Sequence, residues 1–373
     1  MAAKELEGVV AAWRALPPGS RAVLATVIAT TGSTYRKAGA RMLVTEAGWA
    51  AGSVSGGCLE GDVLTTAWER TSNGPTVVTY DSTADDDIVW GFGLGCQGSV
   101  TVMFERLDAS GGPLPHLARS IEARESLVIA TVVAGPELGR RWFVGSETRP
   151  ETAAERRALK VLGSGECRIE EIDGQPTLVE SICPPLALTV YGAGHDAIPL
   201  VEAAKALGWC VTVIDHRKTF AVPSRFPSAD RVLVAPPESV GANGIPEPGS
   251  AVVVMTHNYL NDRTILGRVL SMPLRYVGQL GPRIRTDRMI TELAAEGIDH
   301  TADQLDKLHA PIGLDLGGST PEEVALSIVS EIQTVLSGKQ ALALRDRPGP
   351  LHAPAPPSAL GRSSEPITCP ASR

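Results

Sequence analysis

Paired cysteines are missing from this sequence. Its six cysteines, Cys58, Cys96, Cys167, Cys183, Cys210 and Cys369, are scattered through 373 residues, and none forms a C-x-x-C pair. That argues against a disulfide scaffold and against a zinc knuckle. Aromatic residues are sparse at 4%. No uninterrupted apolar run approaches the roughly 20 residues of a membrane helix. The start, with Lys4, Glu5 and Glu7 in an amphipathic pattern, lacks the apolar core of a signal peptide. A cytoplasmic protein without membrane partners is therefore expected. Excess positive charge is also absent: the net charge is −8, which argues against a general nucleic-acid binder. What is present is 43% hydrophobic residues, 38 glycines and 28 prolines. This composition fits a globular α/β chain rich in turns, and the length predicts two to three domains.

The N-terminal part is organised around Gly52-Ser53-Val54-Ser55-Gly56-Gly57-Cys58-Leu59-Glu60. Apolar residues at Leu59, Val63, Leu64, Ala67 and Trp68 follow at helical spacing. The pattern predicts a tight loop feeding a helix start, where unpaired N–H groups and the dipole favour an anion. A cysteine there is expected to have a lowered pKa and a reactive thiolate. Glu60 supports the helix start but opposes that shift. Upstream, a β-branched run over 21–30 predicts a buried strand that opens into a loop over 31–41 carrying Arg36, Lys37 and Arg41 beside small residues. Such a loop suits an anion, and equally a solvated turn. Downstream, Asp81, Asp85, Asp86 and Asp87 read as a solvated acidic loop. A second glycine loop over 90–98 carries Cys96.

Residues 109–185 carry no catalytic motif and read as a connecting segment with some strand and helix. At Gly192, Gly194 and Ala197 the chain fits G-x-G-x-x-G/A between a strand and a helix, and Asp215 ends the next strand 23 residues after Gly192. Strand and helix patterns then alternate to residue 337, which predicts a Rossmann-like parallel sheet. The fold class expected is thus α/β: an N-terminal α/β domain with Gly-Cys loops (1–108), the connecting segment, and a Rossmann-like domain (186–337). A Pro-rich tail (338–373) lacks the apolar residues to fold. His195, Asp215, His216, Arg217, His257 and Arg283 each follow a predicted strand, so they gather at the carboxyl edge where open α/β sheets bind ligands. A three-histidine metal site is conceivable there, but nothing in the spacing requires one. Thr320, Pro321 and Glu323 spell a capped helix start.

With these residues assembled, the chain resembles the XdhC and CoxI family of molybdoenzyme maturation proteins. The resemblance is carried by Gly32-Ser33 to Arg36, the run from Gly39 to Val44, the Cys58 loop and the Cys96 loop. It continues in Gly192-Ala193-Gly194-His195, Asp215-His216-Arg217, Met255-Thr256-His257, Tyr276-Val277-Gly278, and His309 to Leu316 with Pro321-Glu322-Glu323. Ala38 and Gln97 depart from the pattern. The resemblance implies a chaperone that binds molybdenum cofactor (molybdopterin, as mono- or dinucleotide), stabilises its sulfurated form and helps insert it into an apo-molybdenum hydroxylase such as xanthine dehydrogenase. A cysteine desulfurase is a further candidate partner, and a homodimer bringing the Cys loops to the Rossmann-like pocket is the expected assembly. Candidate thiolate, persulfide or cofactor contacts are Cys58 and Cys96, with cofactor molybdenum at one of them as the sole metal assignment. Candidate cofactor-binding residues are Arg36, Arg41, Ser55, Gly56, Gly57, Gly192, Gly194, His195, Asp215, Arg217, His257 and Arg283. Two other readings stay open: an NAD(P)-dependent oxidoreductase, from Gly192, Gly194 and Asp215, and a non-catalytic component of a hydroxylase complex.

Overall fold

The computed structural model describes residues 3–32, 34–81, 98–108 and 110–346. Cys96 with most of its glycine loop, the acidic residues Asp85 to Asp87, and the Pro-rich stretch from residue 347 onward lie outside the described residues. The chain divides into two compact units, with the boundary in sequence at Pro184 and Pro185. Among the described residues, no helix is long and apolar enough to cross a membrane.

Unit one runs α1 (Ala3–Arg14), β1 (Ala22–Gly32), β2 (Arg41–Thr45), β3 (Gly48–Gly52), α2 (Glu60–Arg70), β4 (Thr76–Asp81), β5 (Gly98–Leu107), α3 (Leu114–Ala123), β6 (Leu127–Val132), β7 (Arg141–Val144), α4 (Ala153–Val161), β8 (Cys167–Ile172) and β9 (Gln175–Ile182). Its strands form two antiparallel sheets, in the orders β3-β2-β1-β5-β4 and β7-β6-β9-β8. The apolar run of β1 makes sense because both faces of that central strand are covered. Val23, Ala25 and Val27 pack with Leu59, Val63 and Ala67 from the Cys58 loop and α2. Leu24 joins α1, α3 and the second sheet through Leu117, Ile129 and Ile182. Alternation along a strand sends successive residues to opposite cores, so a strand buried on both sides shows no polar alternation.

Residues 109–185 therefore correct the expectation of a connecting segment: they build the second sheet of unit one. The two sheets share a buried polar seam. Arg41, 3% exposed on β2, donates from Nη1 to Glu180 Oε1 (2.8 Å) and from Nη2 to Oε2 (2.5 Å) on β9. Arg141 donates to Glu105 Oε1 at 2.6 Å in the opposite direction, from β7 to β5. Gly39 has φ +91°, and a Cβ there would stand 2.8 Å from Glu180 Oε1. The glycine thus serves both the backbone turn and the space for the carboxylate.

Unit two runs β10 (Ala187–Tyr191), α5 (Ala197–Ala206), β11 (Cys210–Asp215), β12 (Arg231–Val234), β13 (Ala251–Val254), α6 (Tyr259–Val269), β14 (Tyr276–Gln279), α7 (Arg283–Ala295), α8 (Ala302–Asp306), β15 (Leu308–His309) and α9 (Pro321–Ser337). The six strands are parallel, in the order β12-β11-β10-β13-β14-β15. This is the doubly wound arrangement expected, with a switch point between the carboxyl ends of β10 and β13. One face is closed by α5 and α9, through Leu200, Val201, Ile328 and Ile332 against Val190 and Val253. The other is closed by α6 and α7, through Ile265, Leu266 and Met289 against Val252 and Val254. The expected capping box at α9 is present: Glu323 N donates to Thr320 Oγ1 (3.3 Å) and Thr320 N to Glu323 Oε2 (2.9 Å). Helix α6 begins at Tyr259, where Asn258 Oδ1 caps it by accepting from Asn261 N (3.1 Å).

The seam generates the first prediction. Arg41→Met leaves Glu180 buried without its cation, which costs about 3–5 kcal/mol. The double variant Arg41→Met/Glu180→Leu removes both charges and recovers most of that loss. Urea unfolding midpoints of the three proteins measure this; equal midpoints for wild type and Arg41→Met would discard the pair as a structural pin.

Candidate functional site

The Cys58 loop leaves β3 at Gly52, whose φ is +75° and whose missing Cβ would strike Arg41 O at 2.1 Å. Gly56, Gly57 and Cys58 are exposed, while Ser55, Leu59 and Glu60 are buried. An anion does sit in the loop, but the chain supplies it. Glu60 Oε1 accepts from Ser53 Oγ (2.7 Å), Val54 N (3.1 Å) and Ser55 N (2.8 Å), and Oε2 accepts from Gly57 N (3.0 Å) and Ser55 Oγ. Ser55 Oγ in turn accepts from Gly57 N (3.2 Å), Cys58 N (3.1 Å) and Leu59 N (3.0 Å). The loop N–H groups of Val54, Ser55, Gly57, Cys58 and Leu59 are therefore satisfied internally. Burial pushes the Glu60 carboxyl up, but hydrogen bonds from Ser55 and Ser53 and from the backbone outweigh it and hold it below its usual value. Glu60 is thus the residue whose main role was missed: its place at the helix start suggests a dipole effect, and only the folded loop reveals a pin. The Cys58 thiol lies 3.6 Å from Ser55 Oγ and is exposed.

Two of the three cations in the preceding loop are also taken. Arg41 is buried against Glu180, and its Nη1 also donates to Gly39 O at 2.9 Å, so its guanidinium is held within the protein instead of facing a ligand from the loop. Arg36 pairs with Glu5 of α1. Lys37 is exposed and has no carboxylate partner among the described residues.

In unit two the structure brings Gly192, Gly194, Asp215, Arg217 and His257 together at the carboxyl ends of β10, β11 and β13. Asp215, a candidate cofactor-binding residue, has a fully buried side chain. Its Oδ2 accepts from Ala193 N (2.8 Å) and Arg217 Nη2 (2.7 Å), and its Oδ1 accepts from Arg217 N (2.8 Å) and Nε (2.9 Å). Burial raises its pKa, but the bonds from Arg217 and Ala193 prevail and lower it. This carboxylate braces the glycine turn. Arg225 holds the other side of the turn by donating to Ala193 O at 2.8 Å. Gly192, at φ +121°, is required because a Cβ would lie 2.3 Å from Met255 O on the neighbouring strand end. Arg217 also lies 3.8 Å from the Phe220 ring centroid, a cation–π contact.

His257 stands after β13 with φ +59°, an uncommon conformation for a non-glycine residue. Its Nε2 lies 2.8 Å from Asp196 Oδ2 at the start of α5, so the pair bridges the switch point. Asp196 makes no capping bond to its own helix. The backbone below His257 is held by Asp262, which is fully buried: Oδ1 accepts from Thr256 Oγ1 (2.5 Å) and Thr256 N (3.2 Å), and Oδ2 from Arg285 Nη2 (2.7 Å). Asp196 and Asp262 were not selected from the sequence, since acidic residues in a first helical turn are ordinary dipole partners. His195 and Arg283 are both exposed, the latter as the first residue of α7. Among the described residues, no group of three or more His, Cys, Asp or Glu side chains is disposed to hold a metal ion.

Comparison with known proteins agrees with this architecture. Residues 188–332 match the XdhC Rossmann domain and residues 15–81 match the XdhC and CoxI family. A Bacillus subtilis (strain 168) protein named as a probable xanthine dehydrogenase subunit is 32% identical over 321 residues, covering 83% of this chain and 92% of that one. The molybdenum cofactor insertion chaperone PaoD of Escherichia coli (strain K12) is 23% identical over 328 residues, covering 86% and 85%. A crystal structure titled as a xanthine dehydrogenase from Bacillus halodurans superposes with a TM-score of 0.75 at 28% identity, over 92% of this chain and 98% of that one.

The Glu60 pin carries the second prediction. Glu60→Ala leaves the Val54 and Ser55 amides without their acceptor and Gly57 N with Ser55 Oγ alone. Hydrogen exchange at those amides accelerates, and stability falls by about 1–3 kcal/mol. Because the folded-state pKa is depressed, the Glu60 contribution is complete above the unfolded value of about 4.3 and is lost as pH falls through the lower folded value. The wild type should therefore show the fast exchange only in acid. Unaltered exchange in Glu60→Ala at neutral pH would refute the pin.

Proposed function

The chain belongs to the XdhC and CoxI family, and from that premise we propose that it is a molybdenum-cofactor maturation factor. In this reading it binds the cofactor as cargo, keeps the sulfurated form intact, and hands it to an apo-molybdenum hydroxylase. The observation that carries the reading is the exposed Cys58 thiol on a loop immobilised by Glu60 and Ser55. A soft sulfur ligand suits molybdenum or a persulfide sulfur, and an immobilised loop presents it at a fixed place. Lys37, exposed in the same loop region and without a carboxylate partner among the described residues, is a candidate contact for the phosphate of the cargo. Cys96 is the second candidate thiol. The Asp196–His257 pair and the adjoining glycine turn supply polar groups at the switch point of unit two, where His195, Arg217 and Arg283 are candidate contacts. The names of the relatives favour the same reading, since one is an insertion chaperone and another is named for xanthine dehydrogenase. A cysteine desulfurase as sulfur donor, a homodimeric assembly and a cytoplasmic location complete the proposal. The NAD(P) oxidoreductase reading loses its main support once Asp215 is occupied by Ala193 N–H and Arg217.

The test is made in a host that synthesises molybdopterin. Protein purified from it should carry molybdenum and pterin, and should activate an apo-hydroxylase in a reconstitution assay. Cys58→Ala should lower activation by at least about tenfold, the equivalent of ~1.4 kcal/mol. Cys183→Ala, which removes another exposed thiol, should match the wild type. Equal activation by the Cys58 and Cys183 variants would withdraw Cys58 from the proposal, and cargo-free wild-type protein would end it.

A further inference from the structure

Tyr35 is 75% exposed, and the next most exposed described aromatic is Trp49 at 51%. The two differ in their surroundings. Trp49 donates its indole N–H to Gly52 O at 2.7 Å, whereas the Tyr35 ring lies against the Cys58 loop. A Cβ placed on Gly56 would come within 3.2 Å of both Cγ and Cδ1 of Tyr35. Gly56 is not in the left-handed region that calls for glycine. Its lack of a side chain is therefore explained by the ring above it and not by its own backbone. The turn that carries Tyr35 is fixed on both sides: Thr34 Oγ1 donates to Arg36 O (3.0 Å), and Arg36 is paired with Glu5. An isolated exposed aromatic requires no explanation. One held by a constrained turn, over a glycine two residues from an exposed thiol, is a prepared surface. Gly56 and Cys58 Cα atoms are at most about 7.6 Å apart along the chain, so a single small molecule reaches both the ring and the sulfur.

We infer that Tyr35 is the stacking platform for the planar heterocycle of the cargo, seating the pterin beside Cys58. This rests on the maturation-factor reading above. Aromatic side chains bind planar heterocycles through their faces with little demand on hydrogen-bonding pattern. The ring face supplies orientation, and Cys58 supplies the contact to the sulfur-bearing end. A nucleobase, present in a dinucleotide form of the cofactor, offers the same chemistry, so the experiment separates the two.

Full-length protein is titrated with pterin-6-carboxylate and, separately, with cytidine and guanosine monophosphates, by calorimetry. In parallel, alkylation of Cys58 by iodoacetamide is timed with and without the pterin. Tyr35→Phe should bind the pterin within about twofold of wild type, and Tyr35→Ala should weaken it by roughly 5- to 150-fold, the range of single aromatic stacks. The pterin should slow alkylation of Cys58 in the wild type and in Tyr35→Phe but not in Tyr35→Ala. As Tyr35 is on the surface, circular dichroism should show all variants folded. Unchanged pterin affinity in Tyr35→Ala overturns the inference while leaving the maturation reading intact. A loss confined to the nucleotides overturns the pterin assignment. A wild type that binds no pterin overturns the reading and the inference together.

Discussion

Backbone N–H groups and buried cations must find acceptors, and in this protein three carboxylates of the chain itself meet that demand. Glu60 fills the Cys58 loop, Glu180 receives Arg41, and Asp215 receives Ala193 N–H and Arg217. Glu60 and Asp215 close glycine-bearing turns, where the backbone is shaped to present donors to a negative charge, while Glu180 stands within β9 and packs beside the Gly39 turn. The consequence is rigidity. A turn whose donors are unmet would fluctuate in search of water, whereas one closed on an internal carboxylate holds its shape before any ligand arrives. Preorganisation of that kind lowers the ordering cost of binding.

The same constraint separates scaffold from contact surface. In unit one, Arg36, Arg41, Ser55 and Glu60 support the loop, while Tyr35, Lys37, Gly57 and Cys58 are what it exposes. In unit two, Asp215, Arg225 and Asp262 secure the strand ends, while His195, Arg283 and the His257 ring remain accessible. The left-handed backbone of His257 fits this division. A strained residue persists only where its surroundings over-determine it, and Thr256 bound to Asp262 below and Asp196 at the ring provide that.

Much of this could be read from residue patterns. The Rossmann-like sheet was legible because β-strand and helix periods alternate over 186–337 and because Gly192, Gly194 and Asp215 stand at the required spacing. The Cys58 loop was legible because a glycine-serine run leads straight into a helical apolar stripe. Strands β8 and β9 were not, since their burial comes from packing on the first sheet. Glu180 on β9 reads as an ordinary strand glutamate until Arg41, 139 residues away, is placed beside it.

Local chemistry therefore determined where donors would cluster, which turns need glycine, and which residues follow the parallel strands. Those properties follow from backbone sterics and side-chain periodicity, which act over a few residues. Only the tertiary structure decided which acceptor each donor meets, that Arg41 and Asp215 face inward, and that Tyr35 covers Gly56. The pairing of a buried charge depends on its nearest neighbours in space, and the Coulomb and desolvation terms that select them act over a few ångströms regardless of separation along the chain.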